Sequence, residues 1–596
     1  MAKKFIDIMD TSFRDGFQSV FGGRVLMEDF FPALEAAKEA GINHFEFGGG
    51  ARFQSLYFYL NEDAFTMMDK FRSIVGEDAN LQTLSRGVNT VMLETGSGEL
   101  IDLHAKLFKK HGTTTIRNFD ALNDVRNLKY SGECITNHGL KHEIVVTMMD
   151  LPPGCEGAHD VAFYEKVLRE ILDSGIPYDS ICFKDASGTS SPHKVHETIK
   201  MAKKLVPQNT HIRLHTHETA GISVACYLAA LDAGIDGIDM AAAPVSGGTS
   251  QPDIITMLHA VKGMNYDLGG LEVDKIVQYE DVFKDCMSEY MIPSEAVQVM
   301  PIIPLSPMPG GALTANTQMM RDNNTMDKFH EAILGMREVV EKGGYGTSVT
   351  PVSQFYWQQA YANVVFGKWK KISPGYGKMV LGYFGKTPIQ PDSEIVKLAS
   401  EQLKLEPTTT SALELANADE TKSLNHWRTV LEKEKIKLTD ENLFIAASCE
   451  DKGIAFLKGE MSVSVRKKSN QPQNQQETKG SNMSGNYNVV VNGENFSVMV
   501  SEGGVAVAPS QSASQAIAPS TPSGSKNMQA GVSGTVSKIL VKQGDRVKSG
   551  DKLVVLEAMK MEIDILADGD GVVGIVFVSV GDNVKEGQDI IELGTN

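Results

Sequence analysis

FIDIMD (5–10), MEDFFPALEAAKEAG (27–41) and HFEFGG (44–49) follow one another near the start of the chain. The first and third are short runs rich in β-branched and aromatic residues, while the second spaces its apolar residues at the helical period. This strand–helix–strand unit recurs. Six more runs follow: LQTLSR (81–86), TTIRNF (114–119), HEIVVTMM (142–149), SICFKD (180–185), HIRLHTH (211–217) and GIDMAAA (237–243). Eight such units over about 250 residues match a TIM barrel.

In that fold the chemistry sits at the C-terminal ends of the strands. Polar residues collect there: Asp15 after the first run, Arg86 after the third, Asp120 after the fourth, Lys184 on the sixth, His215 and His217 on the seventh. His215 and His217 are two apart on a strand, so both rings point to one face. Neutral imidazoles so placed suit a divalent transition metal. The plainer reading is a polar pair on an edge strand. Asp15, at another strand end, adds an oxygen donor and favours the metal.

Lys184 lies in CFKDASG, and a buried ammonium costs free energy unless it is paired or neutralised. A salt bridge with Asp185 is one reading, although adjacent strand residues face opposite ways. The other is a carbamate, formed with carbon dioxide, that offers the metal an anionic oxygen. Both stand at this level. Gly48, Gly49 and Gly50 do not form GxGxxG, and no GxxxxGK[ST] occurs, so nucleotide binding is not expected. These glycines suit a tight turn or a close backbone approach.

The C-terminal part repeats itself. GTVSKILVKQGDRVKSGDKLVVL (534–556) aligns with GVVGIVFVSVGDNVKEGQDIIEL (571–593) at an offset of 37. Gly-Asp turns between β-branched runs read as hairpins, and two such halves pack as a flattened barrel about a pseudo-twofold axis. Lys560, in VLEAMKMEID (555–564), falls close to the midpoint, on an exposed turn. Upstream, NYNVVVNGENFSVMV (486–500) reads as two strands about an Asn-Gly turn. APSQSASQAIAPSTPSGS (508–525) reads as an extended, mobile tether. A small domain on such an arm, offering one lysine at its tip, is built to travel.

A net charge of −18 speaks against nucleic acid, which wants a basic face. Six scattered cysteines without a CxxC pair suit a reducing compartment. No apolar run approaches the ~20 residues of a membrane span, and MAKKFIDIMD lacks the apolar core of a signal peptide.

IMDTSFRDGFQS (8–19) with RLHTH (213–217) resembles the barrel metalloenzymes that make or break carbon–carbon bonds beside a carbonyl. Three further segments narrow the resemblance to the biotin-dependent carboxyltransferases. FKDASG (183–188) is similar to the segment whose lysine is carbamylated. MPGG (308–311) with VTPVSQ (349–354) is similar to the pair that completes the carboxyltransferase pocket. EAMKM (557–561) resembles the biotin attachment sequence. The likeness covers nearly the whole chain, and runs towards the oxaloacetate decarboxylase α chain and the B subunit of two-subunit pyruvate carboxylases. The lipoyl domain is the structural competitor, but methionines on both sides of the lysine are the biotin pattern.

This resemblance implies an α/β TIM barrel with a C-terminal helical extension, plus a small all-β biotinyl domain on a flexible linker. It implies biotin on Lys560, flanked by Met559 and Met561, and a metal, zinc or manganese, held by Asp15, carbamylated Lys184, His215 and His217. Arg86 would clamp the carboxylate of the 2-oxo acid, Gln18 would donate to its keto oxygen, and Thr350 would shuttle a proton between biotin and the substrate methyl. Ser353 and Gln354 would line the biotin pocket. Departures from the family pattern include Gly16 and Phe17, Phe47, Ala312, Gln354 and Gly531.

The expected division is a barrel over 1–260, an extension completing the active site over 261–398, and a small association unit over 399–465. A disordered linker (466–485), a β-hairpin (486–506), an Ala/Pro/Ser swinging linker (507–526) and a biotin carrier domain (527–596) follow. The reaction implied interconverts pyruvate and oxaloacetate. The chain has no nucleotide region, so either a separate ATP-dependent biotin carboxylase subunit charges the biotin, or membrane decarboxylase subunits discharge it. A biotin ligase and a homo-oligomer are also implied, with a cytoplasmic location or a peripheral one at the inner membrane through those partners. Two other classes compete: a biotin-free condensing enzyme or lyase on the same barrel, and a non-catalytic carrier or scaffold.

Overall fold

In the computed structural model, residues 3–468, 485–491, 494–500, 525–558 and 561–594 are described. Eight parallel strands close into a barrel: β1 Lys4–Asp10, β2 His44–Gly49, β3 Asn80–Ser85, β4 Thr115–Asn118, β5 Lys141–Thr147, β6 Ser180–Asp185, β7 His211–Thr216 and β8 Gly237–Met240. All eight expected runs form these strands. The closure is β1 on β8 on one side and β1 on β2, through Asp10 and Phe45, on the other. The strands are buried on both faces, as a parallel sheet under helices requires.

The inside of the barrel is charged. Arg117 on β4 reaches Glu143 at 2.5 Å and Asp239 at 2.5 Å. Arg213 on β7 reaches Asp239 at 3.1 Å and also pairs with Asp7, which meets His44 at 2.9 Å. Each charge is matched inside the ring, which is the condition for burying any of them.

A short strand, Tyr266–Leu268, extends the sheet beside β1, and the helix Val273–Met287 packs on Met27–Glu39. Phe283 stacks on Phe13 at 5.5 Å. The barrel layer therefore runs past the expected boundary at 260, because Ile276, Tyr279, Phe283 and Met287 form one apolar helix face turned to the barrel. The boundary at 398 falls inside the helix Ser393–Leu403. Beyond it, Leu424, Leu431, Leu443 and Phe444 belong to the same hydrophobic core as the barrel helices. Phe444 meets Phe53 edge-on at 5.5 Å. This segment is sewn to the barrel rather than set apart from it.

A second core joins the extension to the barrel mouth: Trp357, Tyr356 and Met336 pack with Phe119, Leu122 and Met149. Among the described residues no helix is long and apolar enough to cross a membrane.

The C-terminal domain has two four-stranded antiparallel sheets around a core of its own. Gly534–Ile539 and Gly571–Val576, 37 positions apart, show the same alternation of buried and exposed residues. The strands Lys552–Ala558 and Met561–Leu566 pair through Ala558 and Met561. Met559 and Lys560 lie outside the described residues. So does most of the two linkers. The strands Gly485–Val491 and Glu494–Val500 pair antiparallel as expected.

Candidate active site

The strand register assembles the site. Lys184 on β6 and His215 on β7 are direct neighbours across the sheet. Asp15 comes from a turn of π-helix, Ser12–Gly16, directly after β1. That turn is tied to β8: Thr11 Oγ1 donates to the Met240 carbonyl at 2.8 Å, and the Ala242 N–H donates to Ser12 Oγ at 2.9 Å. π-turns of this kind often mark functional sites.

Asp15, His215 and His217 meet in one buried cluster. Asp15 Oδ2 lies 3.2 Å from each imidazole Nε2, and the two Nε2 atoms are 3.0 Å apart. The far side of each ring fixes its tautomer. His217 Nδ1 donates to the Thr249 carbonyl at 2.7 Å, and His215 Nδ1 donates to Asp239 at 2.8 Å. Both Nε2 atoms therefore carry lone pairs, and these face each other beside a carboxylate. The Gln251 amide, 3.0 Å from His217 Nε2, and the Lys184 amine are the hydrogen-bond donors beside these lone pairs among the described residues, and two imidazoles with a carboxylate are the ligand set of a divalent metal. Lys184 Nζ is 2.7 Å from His215 Nε2, so the lysine expected beside the cluster lies next to it.

Charges around the cluster are strongly biased. Burial opposes ionisation of Asp15, but Arg14 at 3.0 Å and the imidazoles outweigh it and hold the carboxyl well below its usual range. Burial lowers the Lys184 amine, against the pull of Asp15. Arg14 is paired with two carboxylates, Asp15 through Nη1 and Glu46 through Nη2 at 2.6 Å.

Above the cluster lies a cleft that gathers residues far apart in sequence. Asp15, Gln18, Arg86, Lys184, His217 and Thr350 all line it, with Phe119 and Ala312 as apolar wall. Arg86 is buried. Its Nη1 donates to the carbonyls of Val91 at 2.6 Å and Met92 at 3.0 Å. No carboxylate pairs with it among the described residues. Burial, reinforced by the Arg14 charge, lowers its guanidinium to about 9. A buried cation without an anion is costly, and a bound carboxylate would relieve the cost.

The extension closes the cleft through two segments. The helix Gly310–Asp322 begins where Gly310 passes so close to Thr249 that a Cβ would overlap its carbonyl. Gly311 lies against the Gln18 side chain. Ser348 Oγ donates to Pro307 O at 2.7 Å, joining the MPGG and VTPVSQ segments. Thr347 bonds Thr147 on β5 at 2.8 Å, which sets Thr350 at the mouth. Thr350 has no hydrogen bond to its hydroxyl among the described residues, and Pro351 then starts the helix Val352–Phe366.

Not every predicted residue reaches the cleft. Ser353 and Gln354 lie in that helix, buried, with Ser353 Oγ and Gln354 Oε1 unpartnered. They do not line the cleft. Asp120 instead closes a turn, accepting from the N–H groups of Leu122 at 3.0 Å and Asp124 at 2.9 Å. Lys560 and Met559 fall outside the described residues, and Met561 begins a strand.

Three residues were missed. Asp239 orients His215, Arg14 holds Asp15, and the Gln251 amide donates to Asp15 Oδ2 at 2.8 Å. The parity of Asp239 within GIDMAAA was a usable signal, since alternate strand residues point inward.

Comparison with known proteins agrees with this geometry. A family described as a conserved carboxylase domain matches residues 303–500, a biotin-requiring enzyme family matches 521–593, and an HMGL-like family matches 125–282. The pyruvate carboxylase B subunit of Methanocaldococcus jannaschii is 29% identical over 562 residues, 93% of this chain and 94% of that protein. The methylmalonyl-CoA carboxyltransferase 5S subunit of Propionibacterium freudenreichii is 30% identical over 404 residues, 68% of this chain and 78% of that one. The carboxyl transferase domain of Rhizobium etli pyruvate carboxylase superposes with a TM-score of 0.70 at 23% identity, over 76% of this chain and 77% of that domain, and speaks to the fold alone. A closed barrel with a buried Asp–His–His cluster, a repeat-built domain of the biotin-requiring kind and these relatives carry one conclusion: the chain belongs to the biotin-dependent carboxyltransferase family, as an enzyme of the same type as the pyruvate carboxylase B subunits.

Proposed function

We propose that this enzyme transfers a carboxyl group from biotin to pyruvate, giving oxaloacetate. The observation that carries the reading is Arg86, a buried guanidinium with no anionic partner among the described residues, in the same cleft as the Asp–His–His cluster and Thr350. It suits the carboxylate of a 2-oxo acid. The choice of pyruvate rests on charge. Among the described residues lining the cleft, Arg14 is spent on Asp15 and Glu46, and Lys184 sits at the cluster. One cation is left, which favours a monocarboxylic 2-oxo acid over a dicarboxylic one such as 2-oxoglutarate, the substrate named for another relative.

Asp15, His215 and His217, with Lys184 as its carbamate, would hold zinc or manganese; the metal when bound acts as a Lewis acid at the keto oxygen. Biotin, on Lys560, supplies the carboxyl group. The chain's own groups do the rest. Arg86 Nη2 and Nε bind the carboxylate. Gln18 Nε2 donates at the keto oxygen. Thr350 Oγ1 takes a proton from the methyl carbon, which the biotin nitrogen that gives up the carboxyl group would receive, at a distance from bulk water that the Phe119 and Ala312 wall maintains.

Two relatives named as pyruvate carboxylase B subunits match over 93% and 94% of this chain, which favours a separate ATP-dependent biotin carboxylase as partner. The test uses purified, biotinylated chain given oxaloacetate. Pyruvate should form, avidin should stop it, and 2-oxoglutarate should not compete. Turnover that survives avidin would defeat the assignment. Co-purification from the native cell then identifies the partner as a biotin carboxylase, or as membrane decarboxylase subunits if the direction is the reverse.

A further inference from the structure

A second cavity of ≈ 530 Å³ opens behind the loop that anchors Arg86, and it shares no residue with the cleft. Three parts of the chain enclose it: the loop around Met92–Gly96, the extension around Lys378–Phe384, and the segment that carries Leu415, Trp427 and Glu450. Its size is that of small-molecule sites. Met92, Leu100, Phe384, Leu405, Leu415 and Trp427 give it an apolar, aromatic body.

The charges at its rim are unequal in an informative way. Glu94 takes both lysines, Lys378 at 3.0 Å and Lys422 at 3.8 Å. Lys422 also donates to the Thr95 carbonyl at 3.0 Å. Asp419 accepts from Thr421, through its backbone at 3.0 Å and its hydroxyl at 2.6 Å. The cations are thus spent. Glu450 is not. It breaks the helix Asp440–Leu457 with φ 50 and ψ −135, and no hydrogen bond or ion pair reaches its carboxylate among the described residues. Its side chain is exposed at the rim; desolvation on the protein side, then the Asp451 and Glu94 charges, push its carboxyl up against the pull of Lys422, so a cation beside it relieves crowded negative charge.

We propose that this cavity is an effector site for an organic ammonium ion with a flat apolar body, the ring lying by Trp427 and the ammonium meeting Glu450. An anionic ligand would have to displace Glu94 from two lysines. The walls are tied to the Arg86 loop. Lys422 holds Thr95, Asn417 Oδ1 accepts from the Gly98 N–H at 2.8 Å, and Glu99 accepts from the Leu424 N–H at 3.2 Å. A ligand that orders these walls therefore acts on the carbonyls that hold Arg86. This coupling rests on the assignment of Arg86 to the substrate carboxylate; the binding does not.

The experiment titrates tryptamine into the full-length biotinylated chain by calorimetry, without turnover. Saturable binding at one site per chain is expected. Glu450→Gln should weaken it at least ~10-fold, as loss of a charge-assisted hydrogen bond does. Trp427→Ala should weaken it independently, and indole-3-propionate, with the same ring and the opposite charge, should bind less tightly than tryptamine. No saturable binding, or equal affinity in Glu450→Gln, overturns the site. Saturating tryptamine should shift the KM for pyruvate by about fivefold. Binding with an unchanged KM overturns the effector role, and an error about Arg86 itself would show separately in the kinetics of Arg86→Gln.

Discussion

Gly310 leans on the Thr249 carbonyl, and that carbonyl orients His217 by accepting from Nδ1 at 2.7 Å. The extension is thus keyed to the Asp15–His215–His217 cluster through a backbone contact. Gly310→Ala should push the carbonyl away and loosen the ring. Metal affinity should fall ~10–100-fold, the usual effect of losing a ligand's outer partner. Metal analysis after gel filtration checks this, and a fully loaded variant would show that the contact only packs.

Arg86→Gln should raise the KM for the 2-oxo acid and lower kcat/KM by about 10²-fold, because one bidentate cation is lost. Thermal stability should not fall. Among the described residues the guanidinium has no acidic partner to strand, and two carbonyls can still accept from an amide. Steady-state kinetics with a melting curve separate the two effects.

Glu280 gives a pH dependence unrelated to catalysis. It is buried with Oε1 unpartnered, and burial together with Asp253 raises its carboxyl from 4.5 to about 8. The folded chain then holds a proton that the unfolded chain has released. Stability should therefore fall as pH rises from 4.5 towards 8 and level off above it. Glu280→Gln should flatten this part of the profile. Equal slopes in the two proteins, measured by denaturant melts at several pH values, would exclude Glu280 as its source.

Lys560→Arg should lose streptavidin binding while barrel and extension melt as before. Peptide mass spectrometry should find the biotinyl group on the Lys560 peptide of the parent chain. Biotin on any other lysine would overturn the attachment site.

How much of this was legible depended on the range of the contact involved. The eight runs were legible because each strand is local and β-rich, and the His215–His217 pair because strand parity is local too. For Asp239 strand parity gave only the inward direction; its role was hidden, since its partners Arg117 and His215 meet it only when β4, β7 and β8 come together in the closed barrel. The packing of Phe444 on Phe53 was invisible for the same reason: nothing near 444 in sequence says that its face is meant for the barrel. Arg14 was hidden by a rarer local structure, the π-turn that sends it to Glu46 while its neighbour Asp15 faces His217.

Thr350 is the sharpest test of the chemistry. Forming oxaloacetate requires a proton to leave the methyl carbon of pyruvate, and the reverse reaction must return it. Thr350 Oγ1 lines the cleft without a hydrogen bond among the described residues, held there by Thr347 on Thr147 and by Ser348 on Pro307. A threonine hydroxyl is too weak an acid or base to act alone, so its value lies in position. Thr350→Ala should leave metal content, biotinylation and folding unchanged, yet slow carboxyl transfer at least ~10²-fold, the low end for a positioned proton carrier. Thr350→Ser should keep a substantial part of the rate, because it retains the hydroxyl and loses only the methyl that restricts χ1. Equal activity in the Ala and Ser variants would make Thr350 a packing residue and would move the proton transfer elsewhere in the cleft.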